Sequence, residues 1–236
     1  MALIVPILTS FDGNGIKRAV ADFKRLKTSG DKAGFVLSKA FLPAVGALAA
    51  LTVAAGKSVQ AAIADEAAQA SLARTLRVSA NATEATVISV EKYITSLGKQ
   101  VAISDDEARP ALATLVLATK DVAKAQELMA IAIDTAAATG KPLADVSQAM
   151  SKGFAGNTKG LKQLSPELFK LIKDGASAAE AFAILEQNFS GAGEMAAGTT
   201  AGQLKIMQIQ FKETSEAIGV ALLPVLEAVL PYLQKL

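Results

Sequence analysis

Four short stretches carry residue types whose spacing could do chemistry. Gly56-Lys57-Ser58 ends like a phosphate-binding loop, G-x-x-x-x-G-K-S, in which backbone donors cradle phosphates and the lysine reaches the β- and γ-oxygens. The first glycine of such a loop would stand at position 51, which is Leu51, so no nucleotide site is expected. Ser96-Leu97-Gly98-Lys99 has the S-x-x-K spacing that lets a lysine activate a serine one helical turn away. The supporting serine and K-T-G elements are missing, and a helix ending at Gly98 explains the string better. Asp65-Glu66 and Asp105-Asp106 pair carboxylates that could bind a hard cation or move protons. Adjacent carboxylates diverge on a helix and neither pair has a matched partner cluster in the sequence, so first-turn dipole and capping roles suffice.

The chain of 236 residues contains neither cysteine nor histidine. Disulfides, thiolate metal sites, cysteine nucleophiles and every mechanism that needs an imidazole are therefore excluded. The expectation is a protein that is not an enzyme, with no catalytic residues, no cofactor, no metal and no small-molecule substrate. Two further patterns carry little weight. Gly30–Gly34 and Gly198–Gly202 match small-xxx-small spacing but lie outside strong apolar runs and read as turns. Asn81-Ala82-Thr83 and Asn188-Phe189-Ser190 are formal glycosylation sequons, which matter only on a secretory route. Met1 to Leu8 is apolar with no preceding positive region and contains Pro6, so no secretory leader is expected.

The elements that would position any function read as helices. Hydrophobic residues make up 51% of the chain, yet aromatics are only 5%, because 48 residues are alanine. Alanine is the best helix former and a poor core filler, so thin, closely packed helices are expected. Net charge is +2, too small to signal a nucleic-acid protein. Residues 1–60 carry +5 and the remaining 176 carry −3, which makes the N-terminal arm basic and reads as a solvated helix face.

In chain order, residues 1–34 read as a basic arm with a turn at Asp12-Gly13-Asn14-Gly15 and an amphipathic helix whose apolar face is Ile16, Val20, Phe23 and Leu26. Residues 35–60 read as an apolar helix. Within it, Ala40 to Gly56 is seventeen residues without a charge, at the lower edge of a bilayer span, and Pro43 interrupts it. A buried or oligomer-packed helix fits better than a resident anchor, with Phe41, Leu42, Val45, Leu48, Leu51 and Val53 as the candidate membrane residues. Residues 61–190 read as a helical bundle. Its helices are punctuated by a gap at Ser79 to Asn81, a capping box at Ser104–Glu107 with Pro110 in the first turn, and a break near Thr119 to Asp121. Gly140, Pro142, Ser165-Pro166, Gly175 and a second capping box at Ser177–Glu180 continue the punctuation.

Residues 191–202 read as a glycine-rich flexible linker, and 203–236 as a coiled-coil-like helix that continues in a longer chain. There Leu204, Phe211, Ile218, Val225 and Tyr232 recur every seven residues, with Met207, Leu222 and Val229 three or four positions away. Such a ladder keeps one stripe facing a partner, which makes these eight residues a self-association seam. Pro224 and Pro231 should kink or segment the helix. The fold class is therefore all-α: a succession of short helices in a small bundle, flanked by an apolar helix and a long coiled-coil-like C-terminal helix.

Three passages carry a family resemblance: residues 6–44, residues 117–164 and residues 198–233. The most specific is D-x-A-A-x-x-G-K-x-L-x-D-V-x-x-A at Asp134 to Ala149, followed by Gly156-Asn157. The closing I-G-x-A-L-L-P at Ile218 to Pro224 supports it. They resemble the tail tape-measure proteins of long-tailed bacteriophages, especially those of actinobacteria. The resemblance implies a helical protein of the virion that fills the tail lumen or tip, sets tail length and leaves ahead of the DNA. It implies residence in the host cytoplasm during assembly, and partners that include tail-tube and tail-tip proteins, assembly chaperones, the host membrane and phage DNA. Copies sharing the tube axis would meet along the seam as a trimer. Family members are often several times longer, so this chain is expected to be an N-terminal segment or a short member. It shows none of the peptidoglycan-cleaving domain that some members carry. A membrane-active helical pore or channel is the alternative reading, motivated by residues 40–56 and the apolar end at 218–233.

Overall fold

A computed structural model describes the backbone of residues 45–233 and the side chains of residues 58–217 and Val220. The described residues form nine α-helices, one 3₁₀ helix and no strand. These are α1 Val45–Ala80, α2 Glu84–Gln100, α3 Asp105–Thr119, α4 Val122–Thr139 and α5 Leu143–Phe154. The 3₁₀ helix Thr158–Gln163 precedes α6 Pro166–Lys173, α7 Ala178–Phe189, α8 Ala192–Gly198 and α9 Thr200–Leu233. Residues 58–221 make up the compact unit to which everything below refers. Residues 45–57 and 222–233 belong to a second unit, described only by their helical backbone.

Local chemistry fixes most helix ends. Ser104 accepts from the Glu107 N–H at 3.3 Å while Glu107 Oε2 accepts from the Ser104 N–H at 3.2 Å, and Ser177 with Glu180 repeats this reciprocal cap at α7. Thr83, Asp121 and Ser165 each cap α2, α4 and α6 with a side-chain oxygen. Pro166 occupies the first turn of α6, where its missing donor costs nothing. Gly140 closes α4 in the left-handed region at φ +68°, which glycine enters freely. Lys120 closes α3 in the same region at φ +56° despite its Cβ. Lys120→Gly is expected to raise stability by roughly 0.5–1 kcal/mol, measured as a shift of the urea midpoint at constant slope.

The core gathers around α3, which packs chiefly on α5 and α4. Leu112, Leu115 and Val116 are fully buried there, against Leu128, Met129 and Ala132 of α4 and Val146 and Met150 of α5. Leu72 and Leu76 of α1 and Val90 and Ile94 of α2 complete one continuous apolar cluster. Small residues set its spacing. Ala108, Ala111, Ala125 and Ala181 are wholly enclosed, and Gly153 lies so close to Leu161 that an added Cβ would stand 2.6 Å from its Cδ1.

Several expectations need correction. Pro110 sits in the second turn of α3, not the first, and the helix runs on through it. Gly98 does not end α2, which reaches Gln100. Its lack of a side chain instead admits Ile209 Cγ2 of α9, 3.4 Å from where a Cβ would be. The boundary read between residues 60 and 61 falls inside α1. The stretch read as a flexible linker folds as α8, with Gly193 and Ala197 buried. α9 continues as one helix through Pro224 and Pro231 instead of breaking into segments. The N-terminal arm at 1–34 lies outside the described residues.

Candidate functional site

α9 has two faces with opposite fates. At about 100° per residue, positions 206, 209, 213 and 216 share one side and positions 204, 207 and 211 the other. Ile206, Ile209 and Glu216 of the first side are buried. Leu204, Met207 and Phe211 of the second are 56%, 64% and 78% exposed. The sequence ladder thus lies on the free face as far as it can be followed. Ile218, Leu222, Val225, Val229 and Tyr232 continue it, but their side chains lie outside those described. Sequence reasoning missed the docked stripe, whose spacing of three and four residues was present in Ile206, Ile209, Glu213 and Glu216.

The corner before α9 is built by one carboxylate. Asp134 of α4 accepts from the Gly193 N–H at 2.9 Å and from the Gly191 N–H at 3.0 Å, holding the start of α8. Gly193 permits this approach, because a Cβ there would stand 3.0 Å from Ile133 Cγ2 and 3.1 Å from Asp134 Oδ1. The rest of the Asp134–Ala149 motif has structural work as well. Gly140 caps α4, Leu143 and Val146 enter the core, and Ala149 meets Gly160, where a Cβ would lie 3.3 Å away.

Behind the docked face lies a charge cluster. Arg109, only 5% exposed, extends from α3 to Asp65 of α1, to Glu91 of α2 at 3.1 Å and to Asp105 at 2.8 Å. Burial opposes its charge, but Glu91, Asp105 and Asp65 outweigh that and hold its pKa above the ordinary range. Lys212 of α9 bridges Asp106 and, at 3.1 Å, Glu216, while Lys205 reaches Glu107 at 3.2 Å. The hydroxyls of Ser58 and Ser215 lie 2.8 Å apart beside them. The paired acids read as capping groups therefore do have a partner cluster: one member of each pair, Asp65 and Asp105, converges on Arg109. Carboxylate oxygens of Asp65, Asp105 and Glu216 fall within 4.8 Å of one another, a spacing a hard cation could bridge. The guanidinium and the Lys212 ammonium already neutralise much of that charge.

The other strings that could do chemistry are structural here. α1 is continuous through Gly56-Lys57-Ser58, so the glycine is not in the strand-to-helix loop that phosphate binding needs. Ser96 donates its hydroxyl to the Tyr93 carbonyl at 2.6 Å, and Lys99 is exposed. Gly30–Gly34 lies outside the described residues, and Gly198 and Gly202 flank the α8–α9 corner. Among the candidate membrane residues, Phe41 and Leu42 lie outside the described residues. Val45, Leu48, Leu51 and Val53 are on α1, with side chains not described. Among the described residues, no helix is long and apolar enough to cross a membrane. No family model, no curated protein and no solved structure matches the chain.

Proposed function

We propose that the chain is a structural protein of a long bacteriophage tail, of the tape-measure kind, that works by assembling with copies of itself. In this reading it occupies the tail-tube lumen or tip, scaffolds tail assembly, contributes to tail length and leaves ahead of the DNA. Its partners are then tail-tube and tail-tip proteins and assembly chaperones. The observation that carries the assembly role is the exposed ladder Leu204, Met207 and Phe211, set on the face of α9 opposite the one that docks. Large apolar side chains this exposed and this regularly spaced favour a second apolar surface over water. The sequence ladder continues with the same seven-residue period, which matches a parallel seam between identical helices and suits a trimer about a tube axis. The tail assignment draws its support from the resemblance at Asp134–Ala149 and Ile218–Pro224.

Sedimentation of the full chain tests the assembly role. The parent is expected to run as an oligomer, and Leu204→Glu with Phe211→Glu as a monomer with unchanged helicity, because both side chains are exposed within the single chain. A parent that stays monomeric at high concentration would remove the seam. Antibody labelling tests the tail assignment separately, on tailed particles whose genome encodes the chain. Gold is expected along or at the tip of the tail, and label confined to the capsid or to free protein would overturn it. A membrane-active role draws no support from the described helices.

A further inference from the structure

We propose that α9 is held on the bundle by a proton-linked latch, docked at mildly acidic pH and released as the pH rises. Asp65 of α1, Asp105 of α3 and Glu216 of α9 bring carboxylate oxygens within 4.8 Å of one another, and Glu216 is buried as it arrives. Arg109 is spent on Asp65 and Asp105, so the further negative charge that Glu216 brings into this site is opposed, and docking favours its protonated form.

The charged groups facing the latch come from four helices. α1 contributes Asp65, and α2 contributes Glu91 and Lys99. The first turns of α3 contribute Asp105, Asp106, Glu107 and Arg109. α9 itself brings Lys205, Lys212, Glu213 and Glu216. Arg109 is already shared among three carboxylates, and Lys212 and Lys205 are drawn to Asp106 and Glu107 at the rim. The two glutamates of α9 therefore enter a site with an excess of negative charge.

Both respond in the same direction. Burial raises the Glu216 carboxyl, the charges of Asp105 and Asp65 add to that, and Lys212 opposes it incompletely. Burial likewise raises Glu213, reinforced by Asp105 and Asp65 and opposed by Lys99 and Lys212. A carboxyl whose pKa is raised on docking binds its proton more tightly in the docked state. Its contribution is complete below the undocked value, about 4.3 for glutamate, and is lost as the pH climbs through the raised docked value. The Lys212 ammonium has the same sign but acts in the alkaline range: burial lowers its pKa, yet its bonds to Asp106 and Glu216 leave it raised overall.

The chain has no cysteine, so Gln148→Cys and Gln210→Cys, both exposed positions, accept a fluorescent donor and acceptor without interference. Energy transfer is followed from about pH 4.5 to pH 8.5 in a dilute labelled chain mixed with excess unlabelled chain, which keeps the signal within one molecule, with helicity recorded in parallel. The docking equilibrium is expected to weaken about tenfold per pH unit for each proton released. Glu213→Gln with Glu216→Gln, which mimic the protonated side chains, are expected to keep transfer high throughout. Transfer that does not change with pH in the parent overturns the latch. So does a double variant that titrates like the parent, or a loss of helicity that accounts for the whole change.

Discussion

Arg109→Met is expected to destabilise the bundle by about 3–5 kcal/mol, the cost of leaving buried carboxylates without their counter-charge. The side chain is held by Asp65, Glu91 and Asp105 at once, and none of the three can turn fully to water, their side chains being 19%, 23% and 11% exposed. Methionine fills much of the same volume, so the loss reads charge and not a cavity. For a unit of this size the thermal midpoint should fall by roughly 6–20 °C in differential scanning calorimetry. Adding Asp65→Asn and Glu91→Gln to Arg109→Met should return most of the loss, because neutral amides no longer require a cation. A single variant within about 1 kcal/mol of the parent would show that the cluster is open to water and worth no more than a surface ion pair.

Gly202→Ala should have the second largest effect, about 1–3 kcal/mol and concentrated at one corner. A Cβ at Gly202 would run into the Ala196 carbonyl oxygen and stand 2.6 Å from both Cα and O of Ala197. These are backbone atoms, so no rotamer change relieves the collision and α8 must separate from α9. Hydrogen exchange should accelerate at the amides of 203–209 while those of α3 and α4 keep their protection. Gly198→Ala is the matched control, since nothing lies within 4 Å of its added Cβ and its backbone is not left-handed. Helix propensity favours alanine at both positions, so equal changes in the two variants would mean that the close approach does not decide the outcome.

These two residues also mark where the sequence was legible and where it was not. Ser104 with Glu107, Ser177 with Glu180, Ser165-Pro166 and Gly140 announce helix ends because each cap is made between residues no more than four apart. The Arg109 cluster joins residues 44 and 18 positions away, and no local spacing encodes that. Glycines misled for a related reason. Gly193 and Gly202 were read as signs of flexibility, yet they are places where another backbone or side chain comes too near for a Cβ. On α9 the seven-residue ladder was plain, but it lies on the exposed face. The stripe that fixes the helix to the bundle holds only two isoleucines, with Glu213 and Glu216 where apolar residues would have drawn notice.

The Asp134 clamp and the α9 contacts have a consequence for the order in which the protein becomes itself. Within α2 to α7, neighbouring helices meet soon after they form, across loops of a few residues, and short closures are fast. α8 must find a carboxylate 57 to 59 residues back. α9 must find partners 98, 106 and 157 residues away at Glu107, Asp106 and Ser58. Docking of α9 is therefore expected to come last in folding, on a bundle whose core already exists. Until that moment both stripes of the helix are bare. A nascent chain whose neighbours captured it then would exchange this helix between copies, so the slow final docking step is where correct assembly and tangled assembly part.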